Sequence, residues 1–218
     1  TLSKDVYTGA VQGDGWRFEG TLTAERILTG DGENIPCRAA LFGRVEEGTY
    51  TGSLVSGSPD GEGEFTLASG AVFTGEFSCG TAVRGEAADL PWEVLHNGSR
   101  FSGMYTGPLE SAGPEGEGLF GGVNAAGQQF TWYGGWSGGE IAGLGVLTDE
   151  RCIVSIEGRE TAGSYAGDGR DGLPDGQGVF TGESDSGVPF TYTGEWAAGL
   201  MDGAGSLVYD AESLYTRT

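Results

Sequence analysis

Basic residues are scarce in this chain: 11 lysines and arginines stand against 32 aspartates and glutamates in 218 residues, a formal charge of −21. Such a surface repels phosphate backbones and anionic bilayers, so nucleic acid is not an expected partner and direct binding to an anionic membrane is disfavoured. Histidine occurs once, at His96, which removes two-histidine metal sites and makes most catalytic triads depend on that one ring. The three cysteines, Cys37, Cys79 and Cys152, are odd in number and include no C-x-x-C pair, which weakens metal and redox-motif readings. One bridge plus a free thiol, or three unpaired thiols, both remain open. No run approaches the ~20 apolar residues of a membrane helix, and the longest strongly apolar patch is Cys152 to Ile156. A G-x-x-x-x-G-K-[ST] loop is also absent, and the many G-x-G pairs precede strands instead of opening a helix, so these are turn and packing glycines. The chain starts at Thr1 without methionine, which fits a processed exported or organelle-imported chain and equally a trimmed one.

What the chain has in plenty is glycine, 44 residues, alternating with rings. In YTGEWAAGLMDGAG, Tyr192 to Gly205, an aromatic, a glycine and an aromatic stand at alternate positions, Tyr192, Gly194 and Trp196; Gly203 and Gly205 then repeat the spacing of two. That is the period of a β-strand, so the rings share one face and Thr193 and Glu195 the other. A glycine between two rings weakens a strand unless it makes room, and the room here is for a neighbouring ring. Copies recur at Tyr50-Gly52-Leu54, Phe73-Gly75-Phe77, Phe101-Gly103-Tyr105, Trp132-Gly134-Trp136 and Tyr165-Gly167. From first glycine to first closing glycine the gap is nine residues in four copies, starting at Gly52, Gly134, Gly167 and Gly194. The Phe73 copy, closed only by Gly85, and the Phe101 copy, closed late by Gly116, read as degraded.

Two linked half-motifs at fixed separation resemble the MORN repeats, from about Tyr50 to Tyr209. The resemblance implies an all-β fold: each repeat a β-hairpin, successive hairpins pairing edge to edge into an elongated, curved, single-layer antiparallel sheet. Many members carry a histidine or basic residue before the closing glycines, where this chain has Asp60, Glu115, Ala142, Asp175 and Asp202. That counts against the lipid-headgroup binding associated with the family.

The expected layout is one continuous repeat domain: degenerate strands or a cap over 1–49, the array over 50–209 and a short tail over 210–218. Within the cap, Tyr7-Gly9-Val11, Phe18-Gly20-Leu22 and Leu41-Gly43-Val45 read as single strands, with Gln12 to Gly15 and Glu46 to Gly48 as turns and a turn cluster at Gly30 to Asn34. Inserted segments at 86–100, 121–130, 149–163 and 181–190 read as loops, which in repeat proteins often bind. His96 precedes Asn97-Gly98, the strongest short hairpin signal, and is expected to be a solvent-exposed turn neighbour; Asn97-Gly98-Ser99 also spells an N-glycosylation acceptor. Asp168, Asp171 and Asp175 lie close, as do Asp31 and Glu33, but Arg170 and Gly172 break the spacing of an EF-hand calcium loop.

No residue is assigned a catalytic, cofactor or metal role. Two aromatics lack a packing role in the repeat: Tyr133, which by strand parity joins the polar face, and Trp92, in the longest insertion. Both are candidate partner contacts, since rings are enriched at interface centres. The expected function is a non-enzymatic protein-interaction or scaffold module, an accessory subunit of a larger assembly, whose partner presents a basic or polar surface. The alternatives are a carbohydrate-binding or carbohydrate-active β protein using exposed rings and carboxylates, and a membrane tether.

Overall fold

A computed structural model describes residues 6–23, 27–156 and 158–210; the C-terminal tail beyond Asp210 and the residues before Val6 lie outside it. Among the described residues the chain is all β, with no helix. It divides into two compact units, one holding residues up to Pro91 with Tyr105–Glu115, the other Trp92–Met104 with Gly116 onward. In the first, β1 (Val6–Gln12), β2 (Arg17–Thr23), β3 (Leu28–Leu41), β4 (Arg44–Val55), β5 (Ser58–Leu67), β6 (Val72–Ser78) and the start of β7 (Thr81–His96) pair antiparallel in chain order. The end of β8 (Ser99–Glu110) pairs there with the two-residue β9 (Gly113–Pro114). In the second, β10 (Gly116–Asn124), β11 (Gln129–Ser137), β12 (Glu140–Ile156), β13 (Arg159–Arg170), β14 (Leu173–Glu183), β15 (Pro189–Ala197) and β16 (Leu200–Tyr209) do the same. Consecutive antiparallel hairpins are the architecture the ring-and-glycine period implies.

Rings form the core on one face and glycines make the slots that admit them. Tyr50, Phe65, Phe73, Phe120, Trp132, Tyr165 and Phe180 are fully buried. A Cβ at Gly63 would lie 2.2 Å from the Tyr50 hydroxyl, and one at Gly178 would lie 2.2 Å from Cε2 of Tyr165, so no residue larger than glycine fits beneath either ring. The polar tips are satisfied locally: Tyr105, Trp132, Tyr165 and Tyr192 each donate to the carbonyl three residues on, at 2.6–3.2 Å.

The pairing reveals a longer repeat. Leu54 faces Pro59, Leu109 faces Pro114 and Gly169 faces Pro174, which aligns Tyr50 with Tyr105 and Tyr165, and Phe65 with Phe120 and Phe180. The copy that read as degraded at Phe101 is therefore complete when started from Tyr105-Thr106-Gly107, with Gly116 nine residues beyond Gly107. Each long copy opens on a long strand, β3, β7 or β12, carrying one non-glycine residue in the left-handed region: Asn34, Asp89 or Asp149, with φ of 52°, 53° and 60°. Around Asn34 and Asp149 the ladder skips, as a β-bulge does.

Several expectations are corrected by these strands. Gly30 to Asn34 lies inside β3 and Glu46 to Gly48 inside β4; the turn between those strands is Phe42-Gly43, so Leu41-Gly43-Val45 is no strand copy. Segments 86–100 and 149–163 lie mostly in strands, β7 with β8 and β12 with β13, rather than in irregular loops; the left-handed Asp89 and Asp149 mark where each long strand continues past the repeat's usual end. Of the segments 121–130 and 181–190, only 125–128 and 184–188 lie outside strands, because β10 runs on to Asn124 and β14 to Glu183.

Candidate interaction surface

The face opposite the ring core is set by strand parity. Register places Leu119, Tyr133 and Val146 side by side across β10, β11 and β12, with Leu144 next along β12 on the same face. These four are 43%, 51%, 46% and 64% exposed, respectively. Tyr133, Leu144 and Val146 border an open depression of about 470 Å³ floored by Gly134, Gly135 and Gly145.

The long repeat supplies an internal comparison. One copy earlier the same row reads Glu64, Thr74 and Glu86; one copy later it reads Val179, Thr193 and Ser206. Leu144 stands where Arg84 and Ala204 stand. The fold thus accepts polar or small residues at every one of these positions, so the apolar character of the middle copy is not a packing requirement. The four residues make a contiguous exposed apolar patch on an acidic surface, a candidate contact site.

Acids frame the patch. Tyr133 donates its hydroxyl hydrogen to Glu117 Oε1, and this bond, reinforced by the carboxylate's charge, raises the phenol above its ordinary value. Asp168 lies opposite Val146, and Arg170, opposite Leu144, leans toward Asp175 at 3.4 Å.

Of the two aromatics singled out from sequence, Tyr133 lies on the expected face. Trp92 lies on strand β7 rather than in an irregular insertion, half-buried, and its indole N–H is buried with no hydrogen-bond partner among the described residues. His96 is likewise corrected: the Asn97-Gly98 turn forms, with φ of 48° and 74°, but the imidazole is 7% exposed and bonded to Glu150. After Asp89 the buried positions are Leu90, Val94 and His96, so this turn neighbour points inward. Asn97 bonds Glu150 through its amide nitrogen, the atom a glycan would need. The acids near Gly172 hold backbone: Asp168 accepts from Gln177 N, Asp171 from Gly143 N and Asp175 from Ala198 N. Leu119, Leu144 and Val146 escaped the sequence reading, although aligning the three long copies exposes them.

The family profile described as MORN repeat matches residues 50–72, 132–150, 165–186 and 192–211, each a hairpin of the architecture above. Four stretches of this chain are therefore MORN repeats. No curated protein matches it. MORN repeats generally mediate protein or membrane-lipid interactions and are generally non-enzymatic. The unmatched stretch from Tyr105 carries a further MORN-type copy in the same register as the hairpins of Tyr50 and Tyr165.

Proposed function

We propose that this MORN-repeat chain is a non-enzymatic protein-interaction module, an accessory or scaffold subunit, and that it docks its partner on Leu119, Tyr133, Leu144 and Val146. The observation that carries this reading is the row comparison: the same positions are Glu64, Thr74 and Glu86 in one copy and Val179, Thr193 and Ser206 in another, so the patch is dispensable to the fold. The partner presents apolar side chains ringed by lysine or arginine, because the patch is flanked by Glu117 and Asp168 on a chain of charge −21. The same charge argues against an anionic bilayer as the target.

The test changes the patch to the pattern of the third copy without altering charge: Leu119→Val, Tyr133→Thr, Leu144→Ala and Val146→Ser. A partner co-purified with the native protein is identified, purified and titrated against both forms. The expected result is an unchanged melting transition and at least a tenfold weaker Kd, the scale of losing one aromatic anchor. Equal affinity of the two forms, or sedimentation of the native chain with phosphatidylserine vesicles at physiological salt in place of partner binding, overturns the reading.

A further inference from the structure

A second departure from the repeat lies in the core. Leu41 closes β3 before the Phe42-Gly43 turn, and Leu90 follows the left-handed residue Asp89; both are buried. One copy later the equivalent residues are His96, before the Asn97-Gly98 turn, and Glu150, after Asp149. They too are buried, 7% and 3% exposed, with His96 Nε2 3.0 Å from Glu150 Oε1. Asn97 Nδ2 donates to that same oxygen at 3.0 Å, and the imidazole stacks on Phe130 at 4.2 Å.

Stability does not account for the exchange. Apolar residues fit both positions, as the buried Leu41 and Leu90 show, and replacing a buried ionic pair by packed hydrophobes is often neutral or stabilising. A buried carboxylate is retained where it has something to hold. Glu150 Oε2 takes no hydrogen bond among the described residues, although a carboxylate accepts at both oxygens. Glu150 and His96 line a cavity of about 150 Å³ with Asn97, Ser99, Gln128 and Gln129. Phe101 adds an apolar wall and Arg151 a single exposed cation.

We propose that this cavity binds one neutral polyhydroxylated ring, a single sugar residue. The charged lining is mixed, a carboxylate bonded to an imidazole and one guanidinium, which favours neither a cation nor an anion. Three side-chain amides and the Ser99 hydroxyl offer donors and acceptors together, and a sugar hydroxyl is likewise both. Glu150 Oε2 accepts from one hydroxyl. Gln128, whose Oε1 already accepts from Asn124 Nδ2 at 2.6 Å, presents its amide hydrogens. The space lies well below the ~300–1,000 Å³ of sites for larger organic ligands, which limits the ligand to one ring. The site shares no residue with the Tyr133 patch, so this inference and the docking reading fail separately.

The experiment is an NMR titration of the full chain with the methyl pyranosides of glucose, galactose and mannose. Saturable shifts of the His96 ring and Asn97 amide signals are expected for at least one of them, with a millimolar Kd. The paired substitution His96→Leu with Glu150→Leu recreates Leu41 and Leu90, so it is expected to fold and to weaken binding at least tenfold. Gln129→Ala, at an exposed position, weakens binding severalfold without reaching the core. Absence of saturable shifts with all three sugars overturns the proposal. So does binding unchanged in a folded His96→Leu/Glu150→Leu chain or, should that chain not fold, in Gln129→Ala.

Discussion

Asp60 on β5 accepts a hydrogen bond at 3.0 Å from the backbone N–H of Cys79, in the turn between β6 and β7. Beside it the carbonyl of Pro59 takes the N–H of Gly80 at 2.7 Å. The same clamp recurs between Pro174-Asp175 and Ala198-Gly199, at 2.8 Å to the proline carbonyl and 3.3 Å to the carboxylate. Acids before the closing glycines, where the family often places a basic residue, are thus committed at two sites to holding the next hairpin's turn. Asp60→Ala and Asp175→Ala are each expected to lower unfolding stability by about 1 kcal/mol in urea titrations. Asp202, which makes no such bond among the described residues, is the control, and Asp202→Ala is expected to stay within about 0.5 kcal/mol. Equal losses at all three would mean that charge, not the clamp, sets the effect.

Two glycines on the sheet separate steric need from mere abundance. At Gly178 an added Cβ meets the Tyr165 ring at 2.2 Å, whereas at Gly121 the nearest atom is Thr131 Oγ1 at 3.8 Å. Gly178→Ala is expected to cost about 1–3 kcal/mol through overpacking. Gly121→Ala is expected to be neutral or to stabilise by up to about 1 kcal/mol, since it removes unfolded-state freedom. Similar denaturation midpoints for the two variants would refute the slot reading of the repeat.

Strand parity, the ring slots and the chain-order hairpins were legible because alternation is a local signal and the glycines have a steric cause. Register was harder at Phe101-Gly103-Tyr105-Gly107, where two overlapping ring-and-glycine frames compete. The pairing of Leu109 with Pro114 selects the frame from Tyr105, which no single stretch announces. His96 was misplaced for a related reason. Asn97-Gly98 identifies the turn but not which side of it is buried, and parity beyond Asp89 depends on a left-handed residue that looks in sequence like any other aspartate. Tyr133 was found by its exceptional ring; Leu119, Leu144 and Val146 are ordinary residues whose meaning comes only from equivalent positions in the other copies.

Burial of weakly acidic groups gives the chain an alkaline limit. Desolvation pushes the Cys37 thiol up to about 11, and burial with acidic neighbours pushes the Cys152 thiol and the Tyr50 phenol up to about 12. Unfolded, a thiol ionises near 8.5 and a phenol near 10. The folded state therefore binds these protons more tightly, and its stability is full below about pH 8.5 and declines as pH rises toward 11–12. Urea midpoints measured from pH 7 to 11 are expected to hold level and then fall; a rise above pH 9 would contradict the burial of these groups. At pH 8 the exposed Cys79 is expected to react with iodoacetamide at least tenfold faster than Cys37 or Cys152, read by peptide mass.

The hairpin turns leave stability to be gained. Ala198 sits at φ 48° before Gly199 at φ 84°, the two-residue turn geometry that Asn97-Gly98 also adopts, at 48° and 74°. In such a turn both central residues have positive φ, which strains a side chain such as alanine's but is met by asparagine at little cost. Ala198 supplies only its backbone N–H to the clamp from Asp175, so a larger side chain leaves that bond in place. Ala198→Asn is accordingly expected to stabilise the chain by about 0.5–1 kcal/mol, seen as a higher thermal midpoint. Ala198→Val, β-branched in the same left-handed position, is expected to lower it, and a gain from valine equal to that from asparagine would refute the left-handed geometry of this turn.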